Sequence, residues 1–262
     1  MLSGNKRKPG IEVMPVKILV PVSGGKDSQA CLKLAIETHP AREVRGLFCD
    51  TQFEHPVTYK HVEWMAQHYG VEIDRVCAGS VEDQCIKHGR FPGGGARFCT
   101  EELKIWPTKR YAKALAEQQG GFEIWYGMRL DESPERRTRY AGKVCDEIYP
   151  PHEVMRKYPK YLEKLGVMMR LAILDWTEED VKDFVGRQYL NPLYPHFDRV
   201  GCFPCQAAGD RHKEKAYQYD DFGRGQYQKV IHIANQIGKE PFNSKGGRIR
   251  NNPDQGCLIC SI

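Results

Sequence analysis

The chain reads as an α/β protein built on an open, mostly parallel sheet, and three observations predict this. Short apolar runs at 16–22, 43–50, 71–76 and 122–126 alternate with segments of helical periodicity. The first run joins its helix through a glycine turn, Ser23-Gly24-Gly25-Lys26-Asp27-Ser28. Chemically active residues, Asp50 and Arg129 among them, directly follow the apolar runs, and ligands of such sheets sit beyond the carboxyl ends of the strands.

Taken in order, residues 16–22 form a strand, and Cys31, Leu34 and Ala35 share one face of the helix that follows. Residues 43–50 form the second strand, apolar at Val44, Gly46, Leu47 and Phe48 and ending in Asp50-Thr51. Pro56 opens a helix that stops near Gly70, and 71–76 is strand-like. Residues 77–98 show little periodicity and contain Gly93-Gly94-Gly95, so they read as a long loop of the functional or mobile kind. Thr100 before Glu101 and Glu102 signals a helix start, and Pro107 implies a break or a fresh start. The strand candidate at 122–126 leads into Gly127, Arg129 and the arginines 136, 137 and 139. Residues 171–174 are strand-like, Thr177 and Asp180 are spaced as a capping box, and 191–195 is a turn. The segment 206–237 is polar and helical. The expected organisation is a basic tail without fixed structure at 1–15, a nucleotide-site domain at 16–205, and a mainly helical, cysteine-bearing region at 206–262.

The glycine turn is the chemical centre. Glycines let the backbone bend towards a ligand, and the unpaired N–H groups of a helix start point at it. Lys26 adds a point charge, and Ser23 and Ser28 add hydroxyls. The spacing is not the Walker pattern, because Val20 and Asp27 stand where a glycine and a Ser or Thr are required. Asp50, at the end of the second strand, is placed to contact a ribose or Mg²⁺. Arg129 and Arg136 are placed to clamp a phosphate or sulfate.

Composition sets the limits. The 262 residues are 40% hydrophobic and 28% charged, with a net charge of +5, which suits an anionic ligand without demanding nucleic acid. No apolar run is long enough for a membrane span, and residues 1–15 carry no export-type apolar core, so a cytoplasmic protein is expected. Ten cysteines then read as reduced thiols, some of them metal ligands. Cys31, Cys49 and Cys77 lie in apolar segments and are expected to be buried. Cys99, at a helix start beside Arg97 and Lys104, has surroundings that favour thiolate. Cys202-x-x-Cys205 and Cys257-x-x-Cys260 are chelating pairs, which by spacing alone suit structural Zn²⁺.

Seven motifs occur in one order: the 23–28 loop, which resembles the PP-loop of ATP pyrophosphatases; Asp50-Thr51 with Pro56 downstream; Cys99-Thr-Glu-Glu-Leu-Lys104; Gly127-x-Arg129-x-x-Glu-Ser133-x-x-Arg136; Asp175-Trp-Thr-Glu-Glu-Asp-Val181; Asn191-Pro-Leu-Tyr194; and Gly201-Cys202-x-x-Cys205. Together they resemble the phosphoadenosine phosphosulfate (PAPS) reductase family of the adenine nucleotide α-hydrolase-like superfamily, from residue 16 to 205. The resemblance implies a doubly wound, Rossmann-like sheet with an adenine nucleotide, ATP or a sulfonucleotide (PAPS or adenosine phosphosulfate), at the strand ends. Ser23, Gly24, Gly25, Lys26, Asp27, Ser28, Asp50, Gly127, Arg129 and Arg136 would hold the nucleotide. Lys26 and Asp27 would act in catalysis, with Mg²⁺ on the phosphates.

Cys99, Cys202 and Cys205, with Cys260 or Cys257 as a fourth ligand, would hold a [4Fe–4S] cluster, the alternative being Zn²⁺. Two departures narrow the reaction. The tail lacks the Glu-Cys-Gly-(Ile/Leu)-His motif of reductases that release sulfite, although Cys257 is a candidate nucleophile, and Phe98 replaces one cysteine of a Cys-Cys pair. The intact Lys26-Asp27 pair is more similar to members that consume ATP. The expected activity is cleavage of ATP to AMP and pyrophosphate that drives iron–sulfur-dependent sulfur transfer. Alternatives are sulfonucleotide reduction and a non-catalytic module. Expected partners are a sulfur donor protein or a thiol reductant such as thioredoxin; a nucleic-acid acceptor and a homodimer are compatible with the sequence.

Overall fold

The computed structural model describes residues 15–93 and 97–242. The basic tail, Cys257 and Cys260 lie outside the described residues. The chain runs β1 (Ile18–Val22), α1 (Lys26–Thr38), β2 (Val44–Asp50), α2 (Pro56–Tyr69), β3 (Glu72–Cys77), α3 (Val81–His88), α4 (Phe98–Thr100), α5 (Trp106–Gln119) and β4 (Glu123–Trp125). It continues through α6 (Pro134–Arg139), β5 (Ile148–Tyr149), α7 (Pro151–Val154), α8 (Tyr161–Lys164), β6 (Met168–Arg170), α9 (Glu178–Val185), α10 (Asp210–Tyr219) and α11 (Asp221–Ile237). Among the described residues no helix is long and apolar enough to cross a membrane.

The six strands lie in the order β3-β2-β1-β4-β6-β5, parallel except for β5, which pairs antiparallel with β6. Alternation along β1 supplies both layers. Ile18, Val20 and Val22 pack with Cys31, Leu32 and Ala35 of α1 and with Val62 and Met65 of α2. Leu19 packs in a second core, with Ala112 and Ala116 of α5. The chain runs outward from β1 through β2 to β3, then returns to place β4 on β1's other side. The carboxyl ends of β1 and β4 therefore flank the switch point, where ligands of doubly wound sheets sit. α10 and α11 pack Tyr217, Val230 and Ile233 against Phe53, Val81, Phe98 and Leu103, which fixes the C-terminal region near the β2 end.

Two local expectations are corrected. Residues 77–98 contain α3, started by a complete capping box in which Asp83 N donates to Ser80 Oγ and Ser80 N to the Asp83 carboxylate. The sixth strand is Met168–Arg170, and 171–174 is a turn just beyond it. At Pro107 the expected fresh start is observed: α5 begins at Trp106 with the proline in its first turn, where its missing N–H costs no intrahelical bond, and a π turn at Glu101–Ile105 joins α4 to it.

Candidate functional site

The turn after β1 is held from several sides. Gly24 adopts φ +74°, in the left-handed region, and a Cβ there would lie 2.6 Å from Thr58 Cγ2. Ser28 Oγ donates to Gly25 O at 3.0 Å and accepts from Ser23 N at 3.1 Å, which closes the turn. Asn191 Nδ2 donates to Gly24 O at 3.0 Å. Tyr194 Oη accepts from Lys26 N at 2.7 Å, so one amide of the α1 start is satisfied by a hydroxyl. The Lys26 side chain is buried, with Glu178 Oε1 at 3.7 Å and the Tyr194 ring at 5.0 Å. The Asn-Pro-Leu-Tyr motif is thus a brace for the loop.

The end of β4 closes on this turn. Gly127 approaches so closely that a Cβ would lie 2.5 Å from Asp27 O. Arg129, fully buried, donates from Nε to Asp27 Oδ1 at 2.6 Å. Burial by itself lowers the Arg129 pKa, but the Asp27 charge and hydrogen bond outweigh it and the net shift is upward. Arg136 is also buried and pairs with Glu132 at 2.7 Å; Glu132 in turn accepts from Arg199 at 3.0 Å. Of the nucleotide-site residues, those at 23–28 and Gly127, Arg129 and Arg136 therefore converge on the switch point.

Asp50 is turned elsewhere. Its carboxylate accepts from Arg75 Nη2 at 2.7 Å, Tyr59 Oη at 2.7 Å and Gln52 N at 2.8 Å, all on the β3 side. Burial would raise the Asp50 pKa, but these hydrogen bonds and the Arg75 charge hold it below the ordinary carboxylate value. Asp27 is thus engaged by Arg129 and Asp50 by Arg75.

The thiols gather between these regions. Cys99, Cys202 and Cys205 line one small cavity of about 20 Å³ with Thr51, Phe53, Lys104 and Gln206. Thr51 Oγ1 lies 3.3 Å from Cys202 Sγ, which donates to Glu54 Oε1 at 3.7 Å. Burial pushes the Cys99 and Cys202 thiols up, with neighbouring negative charge adding to it and Lys104 opposing it. This corrects the expectation that Cys99's surroundings favour thiolate. Burial disfavours the charged form of Lys104, but Cys202 and Cys99 in their thiolate forms, with the Glu54 carboxylate, more than offset it and the net shift is upward. Cys85, buried on α3, belongs to the same apolar cluster as Cys99 and Cys202. Cys31 and Cys49 are buried as expected, whereas Cys77 is exposed.

Among the described residues no three His, Cys, Asp or Glu stand close enough to hold one metal ion. A tetrahedral Zn²⁺ needs sulfurs about 3.8 Å apart, so Cys99, Cys202 and Cys205 do not make a finished zinc site. The chemistry nevertheless suits an anionic thiolate-bound group. Three thiols share a cavity with a buried ammonium, and Arg97 Nε and Nη1 are buried without a hydrogen-bond partner among the described residues. Cys257 and Cys260, the other ligands expected, lie outside the described residues.

A second, larger cavity of about 660 Å³ opens past the ends of β2 and β3. It is walled by Asp50, Gln52, Glu54, Tyr59, Arg75, Cys77, Phe222, Gln226 and Lys229. Sequence reasoning missed Glu54, Arg75 and Arg199, for which no local signal distinguishes function from surface charge. Arg97 and Lys104 were read as the charges beside Cys99, and Tyr194 lay within a motif but was given no role.

The chain is similar to several known proteins. A protein of Escherichia phage 186, described as uncharacterized and of 37.8 kDa, is 28% identical over 237 residues, 71% of this chain and 66% of its own. An adenosine 5′-phosphosulfate reductase of Pseudomonas aeruginosa is 27% identical over 174 residues, 63% of this chain and 58% of its own. The chain thus spans less than two thirds of the length of these relatives. A phosphoadenylyl-sulfate reductase from Candida auris, solved as a phosphate complex, matches with 17% identity and a TM-score of 0.48, over 72% of this chain and 82% of that one. The model of the phosphoadenosine phosphosulfate reductase domain matches residues 17–208, well over half of the sequence. With the doubly wound sheet, the phosphate loop at its switch point and the thiols beside it, that match makes the chain a member of the phosphoadenosine phosphosulfate reductase domain family.

Proposed function

We propose that this protein binds an adenine nucleotide at the 23–28 loop and cleaves ATP there to AMP and pyrophosphate, driving sulfur transfer at the neighbouring thiols. The observation that carries the reading is the course of residues 194–205. This segment touches the phosphate loop through Tyr194, whose Oη holds Lys26 N at 2.7 Å. It then delivers Cys202 and Cys205 to the cavity that Cys99 lines. One segment therefore ties the nucleotide site to the thiols.

In the chemical step an acceptor oxygen attacks the α-phosphorus, the bond to the β-phosphate oxygen breaks, and pyrophosphate leaves. The outer sulfur of a persulfide on a donor protein then displaces AMP from the adenylated acceptor, and a thiol reductant cleaves the resulting S–S bond by thiol–disulfide exchange, which frees the thiolated acceptor and leaves the oxidised reductant as a disulfide. The α1 amides and the Lys26 ammonium hold the phosphates and stabilise charge on the departing pyrophosphate. Arg129, locked on Asp27, fixes the loop, and Arg136 adds positive charge behind it. Cys99, Cys202 and Cys205 would hold an iron–sulfur cluster with a fourth thiol, Cys260 or Cys257; when bound it supplies a site that carries sulfur or electrons. Lys104 and Arg97 balance the negative charge of the thiolates.

Pyrophosphate release from ATP in the presence of acceptor is the test, and Lys26→Ala is expected to abolish it. Release unchanged in that variant refutes the assignment. Protein purified without oxygen is expected to be brown, with broad absorption near ~400 nm from thiolate-ligated iron. A colourless protein with stoichiometric zinc would instead support a structural zinc module.

A second reading, reduction of a sulfonucleotide to sulfite, is favoured by the likeness to an adenosine 5′-phosphosulfate reductase. It uses the same pocket, with Cys257 or Cys260 as the attacking thiol. Labelled sulfite released with a thioredoxin as reductant would establish it, and no release would sink it.

A further inference from the structure

We propose that the 660 Å³ cavity beyond β2 and β3 is a second nucleotide subsite, which takes one nucleotide unit next to the thiols. The inference rests on the sulfur-transfer reading, because this is where an acceptor nucleotide could approach them. No residue of the 23–28 loop lines the cavity, and Phe222, Gln226 and Lys229 in its wall belong to α11, beyond the family match that ends at residue 208. The site is therefore built partly by the extension.

Its size falls within the range of small-molecule sites, roughly 300–1,000 Å³. Its surfaces suit a base and a phosphate. Arg75 lies over the Tyr59 ring at 4.9 Å and is anchored by Asp50, which makes a rigid cationic plane of the kind on which bases stack. Gln52 and Gln226 present side-chain amides whose orientation is already set, Gln52 by Cys77 Sγ at 3.0 Å and Gln226 by Phe203 O at 2.9 Å. Lys229, 40% exposed with Glu82 at 3.9 Å, supplies a mobile cation at the rim. The two acids of the wall, Asp50 and Glu54, are matched in charge by its two cations, Arg75 and Lys229. Asp50 is matched by Arg75, and Glu54 accepts from Thr51 N, Phe53 N, Thr51 Oγ1 and Tyr59 Oη. Glu54 also receives the Cys202 thiol, so the cavity wall is one side chain away from the cysteine cavity.

Calorimetric titration with adenosine monophosphate, and separately with a short single-stranded oligonucleotide, tests the site. The full chain is expected to bind one equivalent that Lys26→Ala removes and a further equivalent that Lys229→Glu weakens about tenfold or more, the scale of one charge-assisted contact. Arg75→Lys, which keeps the charge but not the plane, is expected to weaken the same equivalent. Lys229 is exposed enough that its replacement leaves the fold intact, which a thermal melt checks. Binding of both probes that Lys229→Glu leaves untouched overturns the inference and spares the loop reading. Binding sensitive to Lys229→Glu but not to Lys26→Ala supports the inference and sinks the loop reading. If only the oligonucleotide fills the Lys229-dependent site, the unit is read within a nucleic-acid strand; if the monophosphate fills it, as a free nucleotide.

Discussion

Gly127→Ala is the sharpest probe of how the site is assembled. The added Cβ would stand 2.5 Å from Asp27 O, 2.7 Å from Asp27 C and 2.9 Å from Ser28 N, all backbone atoms. Real Cβ atoms essentially never come within 3.0 Å of such neighbours, so the overlap is about 0.5 Å at the closest atom. No side-chain rotation relieves it; either β4 or the start of α1 has to move. Overpacking of this kind costs about 1–3 kcal/mol. Because the displaced atoms belong to the turn proposed to hold the phosphates, nucleotide affinity should fall by about ten- to hundredfold. Urea unfolding measures the first effect and equilibrium titration with ATP the second. Gly225→Ala is the control, because nothing lies within 4 Å of that glycine inside α11, and alanine there should stabilise by about 1 kcal/mol. If Gly127→Ala unfolds and binds nucleotide like the parent, the close packing of β4 on the loop is not what shapes the site.

Further outcomes follow from other contacts. Burial lowers the His61 pKa to about 4, and its Nε2 lies 3.0 Å from Gln29 Oε1. The unfolded chain then binds the proton first, so stability should fall as pH drops from about 6.5 towards 4, by up to about 1.4 kcal/mol per unit, and His61→Gln should flatten that slope in urea titrations. Asn191→Ala removes the bond to Gly24 O and the acceptor for Leu193 N, and should cost about 1–3 kcal/mol while weakening nucleotide binding. Arg75→Ala strands the Asp50 carboxylate. Asp50 is held below its ordinary pKa, so the pair's contribution is present above about pH 4 and lost as pH falls through the folded value. The deficit of Arg75→Ala against the parent should therefore shrink in acid, and equal midpoints at pH 7 would rule the pair out as a stabiliser.

Local chemistry made much of this legible. A glycine turn between an apolar run and a helical face can be read from neighbours in the sequence, and β1, the 23–28 loop and α1 follow from it. The anchoring of Arg129 on Asp27 was not legible, because it spans 102 positions and depends on β4 lying beside β1. Asp50 shows the same limit from the other side. Its place at a strand end was readable, but its direction was set by Arg75 on the adjacent strand. α3 was missed although Ser80 and Asp83 carry its start, since its buried face is only Val81, Gln84 and Cys85. The β6 register was missed because a three-residue strand carries less pattern than the apolar turn beyond it.

The hydroxyl of Tyr194 on the Lys26 amide has a consequence for how ligand and thiols communicate. That amide belongs to the helix start a phosphate would occupy, so a phosphate oxygen and Tyr194 Oη compete for one hydrogen. Whichever ligand wins it releases Tyr194, and with it a hold on the segment that runs on to Cys202 and Cys205. With a phosphate bound there, occupancy of the loop and the position of the thiols would be thermodynamically linked in both directions, and whatever fixes the cysteines would also set how readily the loop accepts a phosphate.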